Sequence, residues 1–302
     1  MKLGFAVPIS GSWATPANCV ELAEAAEALS YHSLWTFQRL LSPVQGVVPV
    51  LAPPYRSVHD PLALLAFLAA RTKEVRLGLA VVNAPYYAPI VLAKALTTID
   101  HVSGGRLDVG LGSGWSPDEF AAVGSPMQGR GRRVEDFVRC LQAIWTEEIV
   151  DYQGEFYRMP PSAVDPKPVQ RPHPPVLLGG MVDAALRRAG RIAAGWISSS
   201  QTDLTRIGES IEIVRSAARD AGRDPDSLRF VCRGVVKVRT GERAPLTGSL
   251  DEVRSDLAEV AAAGVTETFI DLNFDAEIGS PDADPTASLR RAHEVLEALS
   301  PR

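Results

Sequence analysis

Short apolar runs rich in branched and aromatic residues alternate along the chain with longer segments whose apolar positions recur at helical spacing. The first pair is a strand at residues 3–7 and a helix at 16–29, where Val20, Leu22, Ala23, Ala26 and Leu29 share one face. A second strand at 33–36 leads into a long connection rich in proline and glycine, residues 37–59, and then into a helix from Asp60 and Pro61 to residue 72. The alternation continues with strand 75–82, helix 89–102, strand 106–111 and helix 131–146. It breaks at 149–175, where Gln153, Gly154 and Glu155 mark a turn and prolines are frequent, which predicts an inserted hairpin and loop. It resumes with strands at 176–178, 196–198, 229–238 and 268–272, followed in turn by helices at 182–193, 204–221, 250–263 and 285–299.

Repeated strand–helix units require parallel strands joined by right-handed crossovers, and eight of them close into a barrel. The expectation is therefore an α/β fold, a (β/α)8 TIM barrel forming one domain over residues 1–302, with insertions at about 37–59 and 149–175. A doubly wound open sheet is the alternative. In both folds the loops past the C-terminal ends of the strands hold the site, because they can vary over a packed scaffold.

Composition narrows the function classes. The 302 residues hold 46% hydrophobic and 22% charged positions, ordinary for a chain that buries a large core. With 31 Lys and Arg against 36 Asp and Glu, the formal charge is −5, which argues against nucleic acid as a partner. The N-terminus reads as a strand rather than a signal peptide, and no apolar run is long enough to span a membrane, so a soluble cytoplasmic protein is expected. Cys19, Cys140 and Cys232 are odd in number and widely spaced, as free buried thiols are.

Candidate chemistry is sparse. Gly112, Ser113 and Gly114 after the fourth strand allow close backbone approach to a ligand. Gly179 and Gly180 after the fifth strand precede a helix whose free N–H groups attract a phosphate, although a plain tight turn would look the same. The five histidines show no ligand spacing, so no metal site is expected; His59, in the long second connection, is the one placed near the mouth. Neither a catalytic Ser-His-Asp pattern nor a Gly-x-Ser-x-Gly elbow is legible. Trp13, Tyr55, Tyr86, Tyr87 and Trp115 all fall in mouth loops, which suggests an aromatic surface for a planar or apolar ligand.

Several segments, in order, resemble the luciferase-like monooxygenase superfamily: Leu34-Trp35, Leu77-Gly78, the run Ser103-Gly104-Gly105-Arg106-Leu107-Asp108-Val109-Gly110-Leu111-Gly112, Gly129-Arg130-Gly131-Arg132-Arg133, Gly154-Glu155-Phe156-Tyr157, Lys167-Pro168-Val169-Gln170 and Gly179-Gly180. The pattern is most similar to the branch that uses the deazaflavin coenzyme F420. The resemblance implies a dimeric barrel, with the cofactor ring at the mouth and its phosphate near Ser113, Gly114, Trp115, Gly179, Gly180 and Met181. It also implies a cis peptide at Ala80-Val81 behind the ring, with Asn83 beside it. Where many relatives carry Asp-His after the second strand this chain has Gln38 and Arg39, and where some carry a Glu after the fourth it has Trp115. Gln38 could hydrogen-bond the ring and Arg39 could stabilise an anionic ring or substrate, but neither shuttles protons well near neutral pH.

The leading expectation is thus an oxidoreductase that moves hydride between F420 and a small organic substrate, with Arg39, Gln38 and His59 as candidate catalytic residues. One alternative is an FMN-dependent monooxygenase served by a partner reductase. Another is a flavin-binding protein without turnover, prompted by the missing acid and base. A homodimer is expected in each case.

Overall fold

The computed structural model describes residues 1–43 and 51–301, so residues 44–50 of the long second connection lie outside the described residues. Eight parallel strands form the barrel: β1 (Lys2–Ala6), β2 (Ser33–Thr36), β3 (Arg76–Leu79), β4 (Leu107–Gly112), β5 (Val176–Gly179), β6 (Gly195–Ile197), β7 (Arg229–Val235) and β8 (Glu267–Asp271). Each pairs with its sequence neighbours, and β1 with β8 and β3 with β4 complete the ring, as Lys2 opposite Glu267 and Leu77 opposite Leu107 show.

The outer helices are α1 (Pro16–Ala28), α2 (Pro61–Ala69), α3 (Pro89–Val102), α4 (Arg130–Thr146), α5 (Asp183–Ile192), α6 (Ile207–Asp220), α7 (Leu250–Ala262) and α8 (Pro285–Ala298). Their starts follow local chemistry. Thr15 caps α1 with proline in its first turn, Asp60 accepts from the Leu62 and Ala63 amides at α2, and Ser249 and Glu252 form a reciprocal capping box at α7. The insertion after α4 is an antiparallel hairpin of Ile149–Gln153 and Arg158–Ala163, the element its turn signal predicts.

Two layers fill the barrel. Near the strand N-termini the buried Asp108 carboxylate accepts from Arg76 and Arg229, and Arg229 also reaches Glu267, which accepts from Ser33 and the Trp35 indole. Above this polar floor Ala6, Trp35, Ala80, Leu177, Ile197, Val231 and Phe269 pack together, with Trp35 and Phe269 stacked at 5.2 Å between ring centroids. The floor closes one end, so a ligand enters from the other.

Two differences from the expected elements bear on the site. The third strand does not run unbroken to residue 82: β3 ends at Leu79, the ladder lapses at Ala80 and Val81, and pairing returns at Val82–Asn83. An unexpected short helix, Pro117–Ala122, follows β4, capped by Ser116.

Candidate active site

The C-terminal ends of β2, β3, β4 and β5 bring most of the expected site residues to one mouth. The Ala80-Val81 peptide is cis, as the resemblance implies. Val81 lies in a hollow formed by glycines: a Cβ on Gly110 or Gly179 would stand 3.3 Å from its side chain, and one on Gly112 only 2.6 Å from it and 2.9 Å from the Asn83 amide oxygen. Side chains on those strands would lift Val81 into the mouth. Their absence leaves a low apolar platform.

Gln38 braces this platform. Its carbonyl oxygen accepts from the Asn83 backbone N–H at 2.9 Å, and its amide nitrogen donates to the Tyr87 hydroxyl. Burial, with the nearby Asp60 charge, pushes the Tyr87 phenol up to about 12 against the opposing hydrogen bond from Gln38, so it stays a neutral hydroxyl. Ser113 is half-buried and Gly114 buried, with the Tyr86 hydroxyl and Phe120 ring filling the space a side chain would need at residue 114.

Arg39 is tied down. It lies 3.4 Å from the Glu119 carboxylate, donates from Nε to the Leu41 carbonyl, and stacks under Trp115 at 4.7 Å and Tyr55 at 5.3 Å. Glu119 also accepts from the Leu40 N–H and the Tyr86 hydroxyl. Burial and then the Glu119 charge raise the Tyr86 phenol far above its usual range, so it too remains a neutral donor. Trp115 is exposed over this cluster and meets Tyr55 edge-on. His59 is exposed, with Nε2 2.6 Å from the Ala14 carbonyl. Trp13 is fully buried and faces the core rather than the opening.

At β5, Gly180 has φ +147°, and a Cβ there would sit 2.4 Å from that of Ala185. Its backbone turns there towards the first turn of α5, which no side chain caps. Met181 is exposed beside it.

Two constellations were not found from sequence. Glu119 carried a local signal, since Ser116-Pro117-Asp118-Glu119 matches the capping pattern of a helix start, and that helix aims it at Arg39. Arg233 carried none. It donates to Asp271 at 2.6 Å, lies between the Phe37 and Phe274 rings at 4.5 and 4.3 Å, and reaches within 3.4 Å of the Ala80 carbonyl. Strand register alone brings Arg233, Phe37 and Phe274 together. Among the described residues no group of three His, Cys, Asp or Glu could hold a metal ion, and no helix is long and apolar enough to cross a membrane.

A closed parallel barrel with a recessed apolar platform at its mouth is a barrel-enzyme architecture. The model of the luciferase-like monooxygenase family matches residues 1–245, and the chain belongs to that family; it is an oxidoreductase enzyme. It is 33% identical over 236 residues to an uncharacterised protein of Mycobacterium tuberculosis, covering 74% of this chain and 80% of that one. It is 32% identical over 207 residues to the FMNH2-dependent dimethylsulfone monooxygenase of Pseudomonas putida, covering 68% of this chain and 53% of that protein. In fold it is similar to the monooxygenase RslO1 from Streptomyces bottropensis (TM-score 0.81, 24% identity, 99% and 98% of the two chains). It is also similar to an F420-dependent secondary alcohol dehydrogenase (TM-score 0.78, 15% identity, 99% and 98%). Similar proteins thus include users of both F420 and FMN.

Proposed function

We propose that this enzyme is F420-dependent and transfers hydride between the deazaflavin and a small organic substrate. The observation that carries the reading is the Gly180 cradle with a cationic flank: Arg130, Arg132 and Arg133 at the start of α4, and Arg188 and Arg191 on α5. A phosphate followed by further negative charge suits such a flank better than a phosphate ester that ends there. When bound, the deazaflavin would supply the two-electron chemistry. The residues of the chain would do the rest: Val81 and the glycines around it support a planar ring, Gln38 and Asn83 fix the edge of the platform, and the Phe37, Tyr55, Trp115 and Phe274 rings exclude water. Arg39, paired with Glu119, serves as a positioning residue for Trp115 in this reading, and Arg233, paired with Asp271, is the cation next to the Ala80 carbonyl.

The second reading is an FMN-dependent monooxygenase supplied by a separate reductase, favoured by the 32% identity to the dimethylsulfone enzyme. Fluorescence titration of the purified protein with oxidised and reduced F420 and with FMN and FMNH2 separates the two. Submicromolar binding of either F420 form is expected. Submicromolar FMN or FMNH2 binding with none of the deazaflavin would overturn the first reading.

A homodimer is part of the proposal. On α2, Leu62, Leu64 and Ala66 are only half-buried and Phe67 is 43% exposed, while Val91 on α3 is 62% exposed, and α2 packs beside α3. An outer helix that is apolar nearly all round needs a cover, and a second copy of the same face supplies one.

A further inference from the structure

The rings at the mouth form one continuous wall. Phe37 tilts against Phe274 at 5.3 Å between centroids, Phe274 meets Tyr55 edge-on at 5.1 Å, and Tyr55 meets Trp115 at 6.3 Å. Phe37 is buried just past β2, Tyr55 and Phe274 are half-buried, and Trp115 is 51% exposed, so the wall runs from the barrel interior to the rim. Its residues come from the connections after β2, β4 and β8. The Val81 platform lies instead at the end of β3, among the glycines of β4 and β5. A cofactor ring seated on the platform leaves the wall for a second molecule.

Charge along the wall is already compensated. Arg39 lies over the Tyr55 and Trp115 rings and pairs with the buried Glu119. Arg233 lies over the Phe37 and Phe274 rings and pairs with the buried Asp271. The other Asp271 oxygen accepts from the backbone and side-chain amides of Asn273, and Glu119 accepts from Leu40 and Tyr86. An anionic guest meets two guanidinium groups that each have a carboxylate, and a cationic guest meets rings that those guanidinium groups already occupy. The wall therefore suits a neutral guest.

Its shape suits a flat one. Successive rings stand at 49°, 79° and 60° to one another, so a planar guest stacked on one ring meets the edge of the next, the arrangement that aromatic quadrupoles favour. Trp115 rests one face on Arg39 and, being half-exposed, offers the other to the mouth. A saturated guest of the same skeleton buries similar apolar area but gains none of the ring contacts.

We infer that this wall is the substrate subsite and that the substrate is a neutral, planar, fused-ring aromatic compound, with Trp115 and Phe274 setting the preference. The inference rests on the proposed oxidoreductase site and names the substrate class of that mouth. The preference belongs to the protein itself, so it is measured first without cofactor.

Calorimetric titration compares 2-naphthol with decahydro-2-naphthol, which has the same carbon skeleton and hydroxyl group but no flat ring. Wild type should bind 2-naphthol ~10-fold more tightly. Trp115→Leu and Phe274→Leu should each bring the two probes within about two-fold of one another, while Trp115→Phe keeps most of the preference. Trp115 is exposed, so its two variants test the wall even where Phe274→Leu fails to fold. Equal affinity for the two probes in wild type, binding of neither, or equal weakening of both in Trp115→Leu overturns the inference. The titrations are then repeated with the protein saturated by F420 or FMN, whichever binds. A preference that persists puts the naphthol beside the cofactor; displacement of 2-naphthol gives the wall to the cofactor ring and overturns the inference. If the preference is present and F420 does not bind, the subsite stands and the F420 reading falls.

Discussion

Arg39 and Glu119 form an ion pair at 3.4 Å with side-chain exposures of 3% and 2%, joining the loop after β2 to the short helix after β4. Each compensates the charge of the other, which burial would otherwise leave unpaired. The pair also fixes Trp115, which rests on the Arg39 guanidinium at the rim.

Removing one partner should therefore be costly. Arg39→Met is expected to lower unfolding stability by about 3–5 kcal/mol, since it strands a buried carboxylate, and Arg39→Met with Glu119→Leu should recover part of the loss. Denaturant melts of the two singles and the double check this. Additive losses would show that the pair does not couple.

The floor of the barrel predicts a pH dependence. Burial alone would raise the Asp108 carboxyl, but the hydrogen bonds and charges of Arg76 and Arg229 outweigh it and hold it below the usual carboxylate range. A depressed carboxyl contributes stability above its unfolded value of about 3.9 and loses it as pH falls through the folded value. Asp108→Asn should thus be several kcal/mol, roughly 3–5, less stable than wild type at pH 7, with the gap narrowing below about pH 4. A gap that stays constant from pH 7 to pH 3 would contradict the assignment.

At the cradle, Gly180→Val places a branched side chain at φ +147° and against Ala185. Cofactor affinity should fall ~10-fold or more, about 1.4 kcal/mol, in a protein that retains its circular dichroism spectrum. Unchanged affinity in the folded variant would remove Gly180 from the site.

For the subunit contact, Phe67→Asp combined with Val91→Asp puts charge into the apolar α2–α3 face. Sedimentation should show a dimer in wild type and a monomer in the double variant. A wild-type monomer at micromolar concentration would refute the proposed interface.

Much of this molecule was legible in the order of its residues. Strands and helices follow from hydrophobic period, turn residues and caps, all local, so the barrel, the inserted hairpin and the glycine pairs at the mouth could be placed along the chain. The break in the third strand at Ala80-Val81 was implied by the family resemblance but not by hydrophobic period, because it depends on how Val81 seats among Gly110, Gly112 and Gly179 of two other strands. Nor was the state of Arg39: sequence offered a cation at the mouth, and only the fold delivered Glu119 to it across 80 residues. Arg233, held between Phe37 and Phe274, has the same origin. Side-chain charge is written in the sequence, but whether a charge is compensated depends on what barrel closure brings within a few ångströms, and Coulomb interactions respond to that distance and to burial rather than to chain order.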